Sequence, residues 1–392
     1  TFNNNRTMKI PLGKPYIDTD EALVEIKKAL DSKWISGGPR IGEFESKIQE
    51  YNNDPEGHYI AVANGTVAIE LGLYAINGGN KLQPGDEVIV PSWSWVASGF
   101  AVNNAGGTPV WCDVNEYGVP SVEDVQKKIT PNTKAIILVH QMGIPCDLDA
   151  FKEKINIPII EDSACALGSE YKGRKIGKTD NIVTYSFQAR KCLTTGEGGM
   201  IVVRDAKQAE WLRSYRAFGT SVSPLERDKA QFLLKEQFKS IGNNHKMADI
   251  PCALGIAQLK SFDTEIGMRQ EAGANYNKLI TQHLYTYGVD IGNVVPDYCT
   301  RYNWQNFHLI LPEKYNRDQV VDLLRKRNIG CKWDIQAIHK EPAYGQDAID
   351  SSLPQTLKYH NHGLWLGFYA EITKEEQEFV IHNLKEVLDE LG

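Results

Sequence analysis

Two periodicities divide this chain. Through its first two-thirds, short apolar runs alternate with longer amphipathic stretches. YIAVAN (59–64), DEVIVP (86–91), TPVWCDV (108–114), KAIILVH (134–140), IPIIEDSA (157–164), IVTYSF (182–187) and GGMIVV (198–203) are all of strand length. Most are nearly continuous in apolar residues, as strands covered on both faces are. Helix-sized pieces lie between several of them, at 66–76, 94–105, 121–129 and 147–155. Repeated strand–helix–strand order predicts an α/β fold, with a mostly parallel seven-stranded sheet between helical layers. In such sheets ligands sit at the carboxyl ends of the strands.

The pattern then changes. From about 205 to 280 it is helical and polar. A strand at 306–312, a helix at 317–328, the run IGCKWDI and the amphipathic segment TKEEQEFVIHNLKEVLDEL follow. This predicts a smaller C-terminal α+β domain. The division falls at 255/256, giving a large domain over 1–255 and a small domain over 256–392.

Charge and cysteine usage narrow the function. A net charge of −7 with no basic run argues against a nucleic-acid surface. No apolar stretch approaches the roughly 18 residues of a membrane span. The opening TFNNNRTMKIPLG lacks the apolar run of a secretory leader. Seven cysteines are scattered without a Cys-x-x-Cys pair, which reads as free thiols in a cytoplasmic protein. No His/Cys cluster has metal-ligand spacing, so no metal is expected.

The chemistry-bearing residues follow strands. ANGTVAIE places Gly65 and Thr66 at a strand-to-helix turn, where free N–H groups favour an anion. Asn64 capping the helix is the plainer reading. PSWSWVAS offers two tryptophans, either for the core or for stacking on a flat ring. IPIIEDSA ends an apolar strand in Glu161 and Asp162. A carboxylate there is costly unless paired, with a protein cation or a protonated ring nitrogen of a cofactor. Asp162 as a helix cap is the alternative.

SFQARKCLTTGEGGM carries most. Ser186 ends a strand, and Lys191 lies five residues on, before Gly196, Gly198 and Gly199. A lysine in such a loop is either solvated or a nucleophile that bonds a carbonyl compound. Pyridoxal 5'-phosphate needs a lysine, an acid for its ring nitrogen, an aromatic stack, phosphate donors and a sheet to carry them. Lys191, Asp162, a tryptophan at 93–95, the 65–66 turn and Ser186 supply that set together.

With these motifs in their order, the chain resembles the sugar aminotransferases of the DegT/StrS type, enzymes of fold type I. The likeness runs through DSKWISGGPRIGEFESKIQEY, VANGTVAIELGL, PGDEVIVPSWSWVAS, GGTPVWCDV, IEDSACALGS, YSFQARKCLTTGEGGMIVV and IGNNHKMADIPCALGIAQL. It implies that Lys191 bonds the cofactor, that Asp162 faces the ring nitrogen and that Trp95 stacks on the ring. It further implies phosphate contacts from Gly65, Thr66 and Ser186, with Val67 and Cys165 beside the cofactor. Asn244 would reach the phosphate of a neighbouring subunit, which implies a homodimer with shared sites. Trp34, Ser36, Gly38, Lys246 and His339 are candidates for the substrate side.

Four positions depart from the family's usual residues. Cys165 stands where Gln or His is usual, Val67 where Ala is common, Gln188 where many relatives have His or Tyr, and Lys246 where Arg is usual. The dehydratase branch has His in place of the lysine, so Lys191 rules against it. The likeness implies L-glutamate as amino donor, ping-pong kinetics, and a role in amino-sugar or surface-polysaccharide biosynthesis such as lipopolysaccharide O-antigen. Lys-x-x-Thr-Thr-Gly-Glu-Gly-Gly is similar to the branch acting at C-4 of nucleotide-linked 4-keto-6-deoxy sugars. SFQARKCLT is also similar to the scyllo-inosose aminotransferases, whose cyclitol carries no nucleotide. A non-catalytic sensor on the same scaffold would be expected to lose Lys191 or Asp162, and this chain keeps both.

Overall fold

The seven apolar runs assemble into one sheet in the computed structural model of the chain, which describes residues 8–345 and 347–392. Residues 1–7, at the start of the opening TFNNNRTMKIPLG, lie outside the described residues. The strands are β1 (His58–Val62), β2 (Glu87–Pro91), β3 (Thr108–Cys112), β4 (Thr133–Val139) and β5 (Ile159–Asp162). A short hairpin, β6 (Glu170–Tyr171) and β7 (Arg174–Lys175), precedes β8 (Ile182–Ser186) and β9 (Gly199–Val203). The large sheet has the order β1-β9-β8-β5-β4-β2-β3. Pairing is parallel from β8 through β5, β4 and β2 to β3, while β9 is antiparallel to both its neighbours.

Central strands explain their own composition. Ile136, Ile137, Leu138 and Ile160 are completely buried, with helices above and below. Each such aliphatic side chain contributes about 1.5–3 kcal/mol by leaving water.

Topology also fixes where chemistry collects. Six strands run one way, so Val62, Pro91, Asp162 and Ser186 end at the same edge of the sheet. Because β9 runs the other way, its first residue, Gly199, lies at that edge too, opposite Ser186 and Val62. The loop 187–198, with Lys191 on it, therefore hangs over the carboxyl edge.

The C-terminal part has its own antiparallel sheet. Strands β10 (Asp290–Ile291), β12 (Phe307–Ile310), β13 (Cys331–Trp333) and β14 (Gly363–Leu366) have the order β10-β12-β14-β13. Strand β11 (Cys299–Arg301) instead pairs with β6. Helices Phe262–His283 and Lys374–Leu391 pack together beside the small sheet. The division drawn at 255/256 falls inside helix Asp249–Leu259, which packs on the N-terminal helices Thr19–Asp31 and Pro39–Tyr51. No helix among the described residues is long and apolar enough to cross a membrane.

Candidate active site

Three backbone segments meet closely at the sheet edge. A Cβ on Gly65 would lie 2.8 Å from Ser186 Cβ, and one on Gly199 would lie 2.4 Å from the Asn64 carbonyl. Only glycine admits that approach. Helix Gly65–Ile76 starts here, and Asn64 does cap it, its side chain accepting from the Val67 N–H at 3.0 Å. Thus Val67 is spent on the cap. The N–H groups of Gly65 and Thr66 have no intrahelical acceptor in this first turn and are the donors left for an anion. The Ser186 hydroxyl stands beside them, accepting, among the described residues, only a 3.4 Å bond from the Gln188 N–H.

Asp162 ends β5 and is 5% exposed. Its carboxylate accepts from Ser98 Oγ at 3.0 Å and from the Ala164 N–H at 3.1 Å. Burial pushes its pKa above the ordinary range. The Ala164 N–H, nearby Lys191 and the Ser98 hydroxyl pull the other way without cancelling it.

Lys191 is half-buried and donates from Nζ to Cys165 Sγ at 3.1 Å. Burial works against its ammonium, but the Cys165 sulfur and the Asp162 carboxylate outweigh burial and hold the amine above its ordinary range. Cys165, Ser186, Lys191, Asn303 and Gln305 line one small cleft.

The two tryptophans divide their tasks. Trp93 is 2% exposed and stacks on Tyr359 at 4.5 Å between ring centroids. Trp95 is 56% exposed, in the loop between β2 and helix Ala97–Asn104. An indole left in solvent at the carboxyl edge is available to a planar ligand.

The chain as a whole is similar to known proteins. A family model described as the DegT/DnrJ/EryC1/StrS aminotransferase family matches residues 16–385. The chain belongs to that family. It is an aminotransferase. It is 31% identical over 382 residues to GDP-perosamine synthase of Escherichia coli O157:H7, covering 96% of this chain and 98% of the relative. Among solved structures, the aminotransferase TlmJ of Streptoalloteichus hindustanus is 26% identical, with a TM-score of 0.86 over 97% of this chain and 99% of that one. DesV of S. venezuelae, solved in complex with a ketimine intermediate, is 27% identical, with a TM-score of 0.85 over 98% and 99%.

Within this aminotransferase the substrate-side candidates scatter. Lys246 pairs with Val62 in an isolated bridge, placing it beside the Asn64–Gly65 turn. Its Nζ donates to Asn244 Oδ1 at 2.7 Å, and Asn244 itself is exposed. Burial, with Arg216 nearby, lowers the Lys246 pKa. Ser36 is exposed and Trp34 half-buried, and Ser36 bridges to Ala248. Gly38 is buried and its N–H is taken by Asp249 Oδ2 at 2.8 Å. It contributes the shape of the turn rather than a free donor.

His339 needs correction as a substrate contact. It is completely buried, with Nδ1 2.6 Å from Ser92 Oγ and Nε2 2.7 Å from Asp350 Oδ1. Both nitrogens are committed, so it joins the C-terminal part to the end of β2.

Sequence reasoning passed over Ser98, Asn303 and Gln305. Each is an ordinary polar residue in its own segment, and only the fold brings it to Asp162, Cys165 and the Lys191 loop.

Proposed function

We propose that this aminotransferase uses pyridoxal 5'-phosphate to move an amino group from L-glutamate to a keto sugar, at C-4 of a nucleotide-linked 4-keto-6-deoxy sugar. The observation carrying this reading is the pairing at one edge of a half-buried lysine with a buried carboxylate whose hydrogen-bond donors are neutral. The residues present fit the cofactor. The hydrogen-bond partners of the buried Asp162 carboxylate are a hydroxyl and an amide, an acceptor site that suits a protonated ring nitrogen. The cradle at Gly65, Thr66 and Ser186 excludes side chains and offers N–H and hydroxyl donors, which suits a phosphate. Trp95 supplies the flat face. Cys165 is close enough to touch whatever Lys191 holds.

When bound, the cofactor supplies an electron sink for a carbanion. The protein's part is positioning and proton transfer. Asp162 would hold a proton on the ring nitrogen. The Lys191 amine would take the proton from the donor's α-carbon and release it again on the cofactor side, acting as base and then acid. A cation seated on Asp162 would weaken its pull on Lys191 and bring the amine toward the neutral form a base requires. The second half-reaction runs these steps in reverse on the sugar, so kinetics are ping-pong.

The nucleotide-linked substrate is supported by the similarity to a relative that makes GDP-perosamine. Lys246, beside the phosphate cradle, is a candidate for the substrate's diphosphate. Gln188, which carries the likeness to scyllo-inosose aminotransferases, spends its side-chain oxygen on the Arg190 N–H at 2.9 Å. A homodimer fits the stretch 218–241, where Phe218, Phe232, Leu233, Phe238 and Ile241 are exposed around the approach to Asn244.

The test is the visible spectrum of the cofactor-loaded protein. A yellow band that bleaches with L-glutamate, and returns only with nucleotide-linked 4-keto sugars, supports the reading. Return with scyllo-inosose selects the cyclitol. No band after cofactor is supplied sinks the pyridoxal phosphate reading.

A further inference from the structure

The connector between the two parts of the molecule reaches back to the lysine. Residues 302–306 run from β11, paired with β6, into β12 of the small sheet. On this connector Gln305 lays its side-chain amide across Lys191. Its Nε2 donates to the Arg190 carbonyl oxygen at 2.7 Å, and its Oε1 accepts from the Cys192 N–H at 3.3 Å. One amide therefore grips the chain on both sides of the lysine, as a neighbouring strand would. Asn303, two residues earlier, donates from Nδ2 to the carbonyl oxygens of Cys165 at 2.8 Å and Leu167 at 3.0 Å. The same connector thus braces both ends of the Lys191–Cys165 contact. Asn303 Oδ1 also accepts from the Gln305 N–H at 3.1 Å, tying the two braces together.

Between them sits Trp304 at φ 51°, a left-handed backbone unusual for a bulky residue. It is 8% exposed, stacks on Phe307, and crowds Gly273, where a Cβ would lie 2.5 Å from its ring. Arg269, paired with Glu265, donates to the Trp304 carbonyl oxygen at 3.3 Å. A disfavoured conformation fixed by this many contacts is one the surroundings over-determine. Its effect is to aim Gln305 at the lysine loop and Asn303 at the Cys165–Leu167 backbone.

We propose that Gln305 is a positioning residue for the chemistry at Lys191. By fixing the backbone on both sides of that residue, it sets where the amine meets the reacting carbon. With Asn303, it makes the connector to the small sheet a working part of the active site. This rests on the role given to Lys191 above. A lysine stem is flexible, so the loop that carries it must supply the precision.

The experiment compares Gln305→Ala and Gln305→Met, the second keeping the stem while losing both polar atoms. Four quantities are read: cofactor content, kcat and KM for L-glutamate, the isotope effect with α-deuterated donor, and amine labelling. For labelling, the cofactor-free chain is acetylated with acetic anhydride across pH and mapped by mass spectrometry, with exposed Lys207 as internal control. The expected result is a kcat lower by about ten- to a hundredfold. KM stays within about threefold, the isotope effect rises, and the labelling midpoint of Lys191 moves while that of Lys207 does not. Unchanged kcat, isotope effect and labelling overturn the proposal. So does a loss confined to cofactor content or KM with Lys191 labelling unmoved. If Gln305→Ala does not fold, Gln305→Met decides. If the wild-type chain takes no cofactor, the proposed function fails, and the labelling comparison still decides whether Gln305 positions Lys191.

Discussion

Glu161 and Asp162 are neighbours at the end of β5, both buried and both carboxylates, yet they meet opposite surroundings. Successive side chains of a strand point to opposite faces. Glu161 meets His140 Nε2 at 2.9 Å, Thr179 Oγ1 at 2.7 Å and Asn181 Nδ2 at 2.7 Å. Burial would raise its pKa, but these partners overcome burial and hold it below the ordinary range. Asp162 accepts from a hydroxyl and an amide with Lys191 nearby, and burial still leaves it above that range. One face has satisfied its charge inside the protein. The other, on the proposed reading, keeps a carboxylate for the cofactor. The contrast separates structural from functional use of one residue type better than burial does, since burial is nearly equal.

Three substitutions probe that difference. Lys191→Ala should have the largest effect. On the proposed reading it removes both the covalent anchor and the proton carrier, so no turnover should be measurable, and the normal yellow band should not form with added cofactor. Asp162→Asn should come next. It keeps the shape and removes the charge, and turnover should fall by about 10²–10⁴-fold while the fold survives, as read by steady-state rates beside a thermal melt. An activity within tenfold of wild type would mean that the charge is not used. Glu161→Ala should show the reverse pattern. Stripping His140 of its buried partner should cost about 3–5 kcal/mol in denaturant unfolding. Activity per folded molecule should stay within a few-fold. Equal damage to stability and activity from both carboxylates would break the comparison.

How much of this was legible beforehand depends on the range of the interaction. The seven strands of the large sheet could be read because strands covered on both faces must be apolar almost throughout, and β4 and β5 show it. The family could be read because its motifs are contiguous. Two-residue strands such as β6 and β7 have no room for a periodicity, so the hairpin went unseen. Ser98 bonds Asp162 across 64 positions, and Asn303 bonds the Cys165 carbonyl across 138. Nothing in either segment alone announces that meeting. His339 misled for the same reason. A histidine within a polar run looks available until the fold sets it between Ser92 and Asp350.

Acid titration gives the smallest and sharpest comparison. Glu161 has a lowered folded pKa, so it contributes stability above its unfolded pKa and loses it as pH falls through the folded one. Asp162 has a raised folded pKa, so its sign is opposite. It costs nothing below its unfolded value, and the cost grows as pH rises through the folded one. In the cofactor-free chain, Asp162→Asn should therefore be more stable than wild type at neutral pH, and that advantage should vanish in acid. Urea unfolding at a series of pH values measures both slopes. A variant whose advantage persisted at low pH would show that packing, not charge, distinguishes the two faces. An advantage erased at neutral pH by saturating cofactor, which only wild-type Asp162 can pair through its charge, would show what that charge is kept for.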